Sequence, residues 1–208
     1  VTSHCAGELV QDMEASKVEN VSSNPLKTES ENKIEFDSEY GPPLMPQKID
    51  DVEKKFKPSS LQKLDLDSVK MLQELIEITR QGLGVSRYVY CEAPILWVVD
   101  SAGDLWFAIE EIIDGESGRF VRPRLKGAAV NGSLRRLGHP ALIGGVAGRI
   151  GGEIIFDNDA EPPQWFLTNA SGRYGTQVGR TENHLRNVAR LLDREYGISV
   201  AYSFYPPR

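Results

Sequence analysis

The sequence predicts an α+β fold in which an antiparallel sheet of hairpins is flanked by two helices. Two pairs of apolar, β-branched and aromatic runs are each joined by a short polar loop, which is the pattern of a β-hairpin. Two other segments carry apolar residues at helical spacing, one before the first hairpin and one after the second. Because hairpins pair their strands antiparallel, this order of elements excludes a doubly wound parallel sheet.

Composition divides the 208 residues into an acidic front and an arginine-rich back. Residues 1–60 carry 12 Asp and Glu against 7 Lys and are rich in Ser, Asn and Pro, without a sustained helical or strand period. Such a segment cannot bury enough apolar surface to offset the entropy lost on ordering. We therefore expect residues 1–60 to be a polar acidic tail or linker that is disordered or bound to a partner, and residues 61–208 to form a single domain. The partner expected for the tail is a cognate protein such as a chaperone, a carrier or an inhibitor.

The chain shows no feature of a membrane protein or of a disulfide-stabilised protein. No apolar run approaches the roughly 20 residues that a membrane-spanning helix needs, and no secretory signal pattern is visible. We expect a soluble protein, and a cytoplasmic location and secretion by a non-classical route both stay open. Two cysteines, Cys5 and Cys91, argue against a disulfide framework and against a thiolate metal site.

The predicted domain opens with a helix followed by a hairpin. Apolar residues at helical spacing start near residue 67, and Gly82 stands where a helix is commonly terminated. The apolar runs Ile95–Asp100 and Leu105–Ile113 flank a four-residue loop that contains a glycine, which predicts the first hairpin. Trp97 and Trp106 either face each other across it or are simply core aromatics, and the second interpretation is favoured.

A second hairpin, a second helix and a final strand complete the predicted order. Residues 114–136, which follow the first hairpin, are loop-like apart from a short strand at Arg119–Val121. Runs Ile154–Phe156 and Gln164–Thr168 form the second hairpin. The segment Thr181–Tyr196 has a helical apolar stripe and is followed by a glycine, and Ile198–Tyr205 is a strand.

A glycine-rich string, "GGVAGRIGGE", lies just before the second hairpin. It matches neither the dinucleotide fingerprint, which needs a strand before it and a helix after it, nor the Walker pattern, which needs Gly-Lys-Ser/Thr. A tight turn with a β-bulge explains these glycines without a ligand, and close approach of a ligand to the backbone explains them equally well. The string also brings the ionisable residues Arg149 and Glu153, and His139 precedes it.

A second string, "TNASGRYG", follows the strand that ends at Thr168. If the second hairpin pairs in register, Glu153 lies close to this string, and His139 folds back over the same point. These side chains suit metal-free proton transfer beside an anion, with His or Glu as base, the other as acid, and arginine as charge clamp. An ordinary turn followed by a packed tyrosine is the alternative interpretation. The candidate catalytic residues are His139, Glu153, Ser171 and Tyr174, and the candidate substrate-binding residues are Arg149, Arg173, Asn169 and Gly152.

The combined pattern HPxL…GGE…WxxxNxSGRY, carried by residues 139–142, 151–153 and 165–174, resembles a C-terminal module of bacterial secreted effectors and polymorphic toxins. This resemblance covers about residues 95–205 and implies an effector or toxin-like domain directed at another bacterium or at a host.

Two functions follow from the residues and the resemblance together. The first is a metal-independent enzyme acting on a phosphate-bearing substrate, namely RNA, a nucleotide or NAD, as a nuclease or as a transferase or hydrolase. It needs no cofactor, and NAD would enter only as substrate. The second is a non-catalytic binding module, such as an inhibitor, an immunity protein or an adaptor, that binds a basic partner through its acidic tail.

Overall fold

The computed structural model describes residues 29–81, 92–125 and 127–207. Its helices are α1 (Glu29–Tyr40), α2 (Asp51–Lys55), α3 (Ser68–Arg80), α4 (His139–Leu142) and α5 (Glu182–Tyr196). Its strands are β1 (Gln62–Lys63), β2 (Ile95–Asp100), β3 (Leu105–Ile109), β4 (Glu111–Asp114), β5 (Phe120–Pro123), β6 (Leu134–Leu137), β7 (Gly148–Asp157), β8 (Gln164–Thr168) and β9 (Ala201–Ser203). Within these ranges, no helix has both the length and the apolar character needed to cross a bilayer. Cys5, Gly82 and Cys91 lie outside the described residues.

The strands form two sheets. The larger sheet has the order β1-β3-β2-β7-β8-β9 and the smaller one the order β5-β4-β6. All pairings are antiparallel except that of β8 with β9, which is parallel. The parallel pair follows from the intervening α5, because a helix carries the chain back so that the next strand runs in the same direction. The predicted α+β class with antiparallel sheets is confirmed.

Both predicted hairpins form, but the predicted run Leu105–Ile113 is divided, because Leu105–Ile109 pairs with β2 while Glu111–Asp114 joins the smaller sheet. In the first, β2 pairs with β3 so that Val99 lies opposite Leu105. In the second, β7 pairs with β8 so that Glu153 lies opposite Thr168. The two tryptophans do not face each other, because Trp97 lies opposite Phe107 and Trp106 lies on the other face of the sheet. Each packs in or against an apolar cluster, as the favoured interpretation predicts.

The two faces of the larger sheet are covered differently. On one face, alternate residues of β2 join the main core, to which α1, α3 and α5 all contribute side chains. Three described helices therefore supply this core, where the sequence predicted two flanking helices. On the other face, Leu96 and Val98 pack against Leu142 of α4 and against Tyr174.

Local sequence explains the ends of α5. The Thr181 hydroxyl accepts a hydrogen bond from the amide of His184, and the Nδ1 of His184 accepts one from the amide of Thr181, so that both free amides are satisfied. Gly197 ends the helix at φ 64°, a left-handed conformation that glycine adopts without strain. Between these ends, the residues that face the core recur at helical spacing: Leu185, Val188, Ala189 and Leu192.

The assignment of residues 1–60 to a tail requires correction for the part that the structure describes. Tyr40 and Glu53 are buried, and Leu44 forms both backbone hydrogen bonds of a bridge with Gly148 of β7. Polar composition does not keep this segment off the domain, because Arg180 donates to the carbonyl of Pro42 and other arginines bind its carboxylates. Residues 33–60 therefore contact the domain itself, and the predicted partner for the tail stays a prediction.

Candidate functional site

Six charged or ionisable side chains line one cavity of about 280 Å³ beside the turn that follows β8. We call it the arginine cavity. Its lining consists of Glu110, Arg124, Arg136, His139, Glu153 and Arg173, together with Gly138 and the turn Ala170–Gly172. Glu110 lies between β3 of the larger sheet and β4 of the smaller one, and Glu153 belongs to β7 of the larger sheet, so the cavity lies near the point where the chain passes from one sheet to the other.

The hairpin of β7 and β8 brings the two sequence strings together. Glu153 lies opposite Thr168, the last residue of β8, and the chain then turns through Ala170–Gly172 to Arg173. From the other side, His139 of α4 approaches β7, and its Nε2 lies 2.8 Å from the carbonyl oxygen of Gly152. The structure therefore places His139, Glu153, Ser171 and Arg173 around one cavity, as the register argument predicted.

His139 is held in one neutral form. Because the carbonyl of Gly152 can only accept a hydrogen bond, Nε2 carries the ring proton and Nδ1 is left as the acceptor. Burial lowers the pKa of His139 to about 4, and the nearby guanidinium groups of Arg136 and Arg173 act in the same direction, while the bond to Gly152 opposes them. At neutral pH the ring is therefore unprotonated at Nδ1, and its one proton, on Nε2, is engaged by Gly152.

Buried glutamates orient the three arginines of the cavity. Glu110 is 5 % exposed and lies 3.5 Å from Nε of Arg124 and 3.3 Å from Nε of Arg136. Glu53 of α2 is 2 % exposed and accepts a hydrogen bond of 2.8 Å from Nη1 of Arg173. Within the described ranges, the terminal amino groups of Arg124 and Arg136 donate no hydrogen bond to the protein. These donors are consequently available to an anion in the cavity.

Both buried glutamates have contacts that fix their own positions. Glu53 also accepts hydrogen bonds from the amides of Asp50 and Gly138, which ties α2 to the start of α4. Burial raises the pKa of Glu110, and the charges of Arg136 and Arg124 oppose that increase. A carboxyl group with a raised pKa is closer to the protonated form at neutral pH than an exposed one, which is the property required of a general acid.

Two of the predicted site residues lie elsewhere, and this corrects the sequence assignment. Arg149 is 1 % exposed and binds Asp37 of α1 and the carbonyl oxygens of Gly41 and Ser101. It therefore ties the N-terminal segment to the sheet and does not face the arginine cavity.

Tyr174 is likewise a packing residue. It is fully buried against the second face of the larger sheet, and its hydroxyl donates a hydrogen bond of 2.9 Å to the carbonyl of Val146. Burial raises the pKa of Tyr174 well above its usual value, so it does not serve as a proton donor at the cavity.

The remaining predicted residues support the turn. Asn169 is fully buried, and its side chain donates to the carbonyls of Gly175 and Tyr205 and accepts from the amide of Tyr205. Ser171 lines the cavity, but its hydroxyl accepts a hydrogen bond from the amide of Tyr174. Gly152 contributes its carbonyl to His139 and allows close approach of the backbone, because a Cβ there would overlap with the carbonyl of Thr168.

Sequence reasoning missed four residues of the arrangement. They are Glu53, Glu110, Arg124 and Arg136. One signal was present: the pair Glu110-Glu111 interrupts an apolar run, and two carboxylates in such a run must find partners when the strand is buried. Glu111 finds them in Ser59 and Ser60, whereas Glu110 finds them in the two arginines.

Residues 29–81, 92–125 and 127–207 contain no group of three or more His, Cys, Asp or Glu side chains placed to hold a metal ion. No family model, curated protein or solved structure matches this chain. A proposal about function therefore depends on the residues that line the arginine cavity.

Proposed function

We propose that the arginine cavity binds a phosphate group of a phosphate-bearing substrate and promotes hydrolysis or transfer at that group without a metal ion. The observation that supports this proposal most strongly is the arrangement of Arg124, Arg136 and Arg173, each held by a buried glutamate with further donors left over. Arginine donors that are oriented before the ligand arrives lose little entropy on binding, and phosphate oxygens accept their paired hydrogen bonds.

Proton transfer is assigned to the side chains beside the arginines. The attacking water or hydroxyl group gives its proton to Nδ1 of His139, which is unprotonated because burial lowers the pKa of this ring. The leaving oxygen receives a proton from a carboxyl group, for which Glu110 is suited by its raised pKa and Glu153 by its place in the lining. The sequence left the order of acid and base open, and the neutral imidazole favours histidine as base.

The biological setting of this proposal comes from the resemblance to bacterial effectors and polymorphic toxins. RNA, a nucleotide and NAD are the phosphate-bearing substrates that such a domain would encounter in a target cell. A toxin-like enzyme of this kind injures the cell that contains it, so toxicity on expression is the expected property.

Phosphate binding is tested with the full chain and inorganic phosphate by calorimetry. Arg136→Gln is the informative variant, because its guanidinium is half exposed and Glu110 keeps Arg124 as a partner. Loss of a charge-assisted contact is expected to weaken phosphate binding by about 10- to 100-fold. Arg190→Gln removes the same charge from an exposed position of α5 and should leave the affinity unchanged. Equal effects of the two variants would show a general charge effect and reject the site.

Activity is tested by expressing the full chain in a bacterium. His139→Gln keeps a side-chain amide that can donate to Gly152 but loses the basic Nδ1, and Glu153→Gln removes a carboxylate from the lining. We expect toxicity for the unaltered chain and for Arg190→Gln, and its loss for both cavity variants. A folded His139→Gln variant that stays fully toxic contradicts the assigned role of this residue.

A further inference from the structure

A second cavity lies on the other side of the turn Ala170–Gly172. It has a volume of about 370 Å³ and is lined by this turn, Gln47, Thr176 and Tyr205. We call it the tyrosine cavity. Small-molecule sites begin at about 300 Å³, a volume that the tyrosine cavity exceeds and that the arginine cavity, at about 280 Å³, nearly reaches. The same three residues line both, so the two cavities are adjacent at this turn.

The two cavities differ in chemistry. The arginine cavity has charged walls, whereas none of the residues that line the tyrosine cavity carries a charge. Its walls are an aromatic ring, two hydroxyl groups, an amide and glycine or alanine backbone. Such a lining favours an uncharged planar group that can stack on a ring and form a few hydrogen bonds at its edges.

Tyr205 is fixed in the backbone and accessible at the ring. Its amide donates a hydrogen bond of 2.7 Å to the buried side chain of Asn169, and its carbonyl accepts one of 2.8 Å from the same side chain. The residue as a whole stays 42 % exposed. Because its backbone is already held, Tyr205 loses little conformational entropy when a ligand binds. Asn169 therefore acts as a positioning residue for Tyr205.

The turn between the cavities leaves room for a ligand. No protein atom lies within 4 Å of the place that a Cβ of Gly172 would occupy. Its φ lies outside the left-handed region, so its backbone conformation accepts a side chain. Gly172 lines both cavities, and the space beside it can take a ligand group without any strain in the chain.

We propose that the two cavities together form a nucleotide site, with the phosphate in the arginine cavity and the base on Tyr205 in the tyrosine cavity. The sugar would pass Gly172. This inference rests on the phosphate binding proposed above and adds the place of the base and of the sugar, because a phosphate joined through a sugar to a planar uncharged ring is the chemistry of a nucleotide.

The test compares AMP with ribose 5-phosphate on the full chain by calorimetry. Stacking of one base on an aromatic side chain makes AMP the tighter ligand by about 5- to 150-fold. Tyr205→Leu should abolish this advantage and leave ribose 5-phosphate unchanged, while Tyr205→Phe should keep the advantage because the ring remains. Gly172→Leu, which places a side chain in the open passage, should weaken AMP and leave inorganic phosphate bound.

The outcomes separate the two proposals. If AMP binds no tighter than ribose 5-phosphate, or if Tyr205→Leu leaves the affinity for AMP unchanged, the nucleotide site is rejected while phosphate binding stands. If neither AMP, ribose 5-phosphate nor inorganic phosphate binds, both proposals fail. Once AMP is bound, displacement by NAD or by a short single-stranded RNA identifies which source of the nucleotide unit the site accepts.

Discussion

Arg149 belongs to the string GGVAGRIGGE and Arg173 to the string TNASGRYG. In the fold, Arg149 has a structural role, whereas Arg173 lines the arginine cavity. Arg149 is buried and satisfied by Asp37 and by two carbonyl groups. Arg173 lines the arginine cavity, and among the described residues only its Nη1 is engaged, by Glu53. Their residue type is the same, and each directly follows a glycine. The difference comes from the partners that distant segments supply.

Replacement of Arg149 should therefore affect stability and spare ligand binding. Arg149→Met leaves the carbonyls of Gly41 and Ser101 without their buried donor, and we expect the free energy of unfolding to fall by about 2–4 kcal/mol. Urea denaturation measures this loss. In the absence of urea, the folded variant should bind phosphate with the same affinity as the unaltered chain. Loss of phosphate binding in a folded variant would show that Arg149 contributes to the binding site and would contradict its assignment as a structural residue.

His139 should make the stability of the fold depend on pH in a definite range. Its pKa is about 4 in the folded protein and near 6.5 when unfolded, so the unfolded chain binds the proton first as the pH falls. Its contribution is complete above pH 6.5 and is lost as the pH falls towards 4, by about 3 kcal/mol in total.

The measurement compares the full chain with His139→Gln in urea at several pH values between 4 and 7.5. Other titrating groups, among them Glu110 with its raised pKa, are present in both proteins and cancel in the difference. The difference in unfolding free energy between the two proteins should change over this range and stay constant above it. A constant difference throughout would mean that His139 is not buried in neutral form.

At the scale of the elements, the hairpin of β7 and β8 determines where the site residues meet. Its register follows from alternating apolar residues and a polar connection, both visible in the sequence. A shift by one residue would move Glu153 away from the cavity and turn its apolar neighbours outward. The pairing that sets the site is thus also the pairing that buries the core.

Two glycines of the site offer a matched test of this element. Gly152→Ala places a methyl group onto the carbonyl of Thr168 across the β7–β8 pair, so we expect a loss of about 3 kcal/mol in the free energy of unfolding. Gly172→Ala meets no atom within 4 Å and should change stability by less than about 0.5 kcal/mol. Thermal or urea unfolding of both variants checks the contrast. Equal stabilities would show that the backbone at Gly152 has more freedom than its close packing indicates.

At the scale of the whole molecule, the N-terminal segment completes the domain. Its α2 supplies Glu53 to Arg173, its α1 packs on the main core, and Leu44 pairs with β7. The acidic front and the arginine-rich back, which composition separates, are in contact in the structure. Carboxylates of the front segment form ion pairs with arginines that are distant in sequence.

Removal of this segment should destabilise the domain. A chain that begins at residue 61 lacks Tyr40 and Glu53. Its truncation also removes Asp37 and the carbonyl of Gly41 from Arg149 and the carbonyl of Pro42 from Arg180, so we expect a lower melting temperature than for the full chain. A chain that begins at residue 29 keeps every contact described here and serves as the control. If residues 61–208 alone melt at the temperature of the full chain, the packing of the front segment contributes nothing to stability.

Sequence by itself determined the α+β class, the places of the two hairpins, the register of the second hairpin, and the ends of α5, because these depend on local alternation, turn chemistry and capping residues. From the register it also placed Glu153 beside Arg173 and indicated His139. Only the tertiary structure decided that Glu53 binds Arg173, that Glu110 orients Arg124 and Arg136, and that Arg149 and Tyr174 turn away from the cavity. Those contacts join segments that no local period relates, since the burial of a charge is settled by whichever distant group can satisfy it.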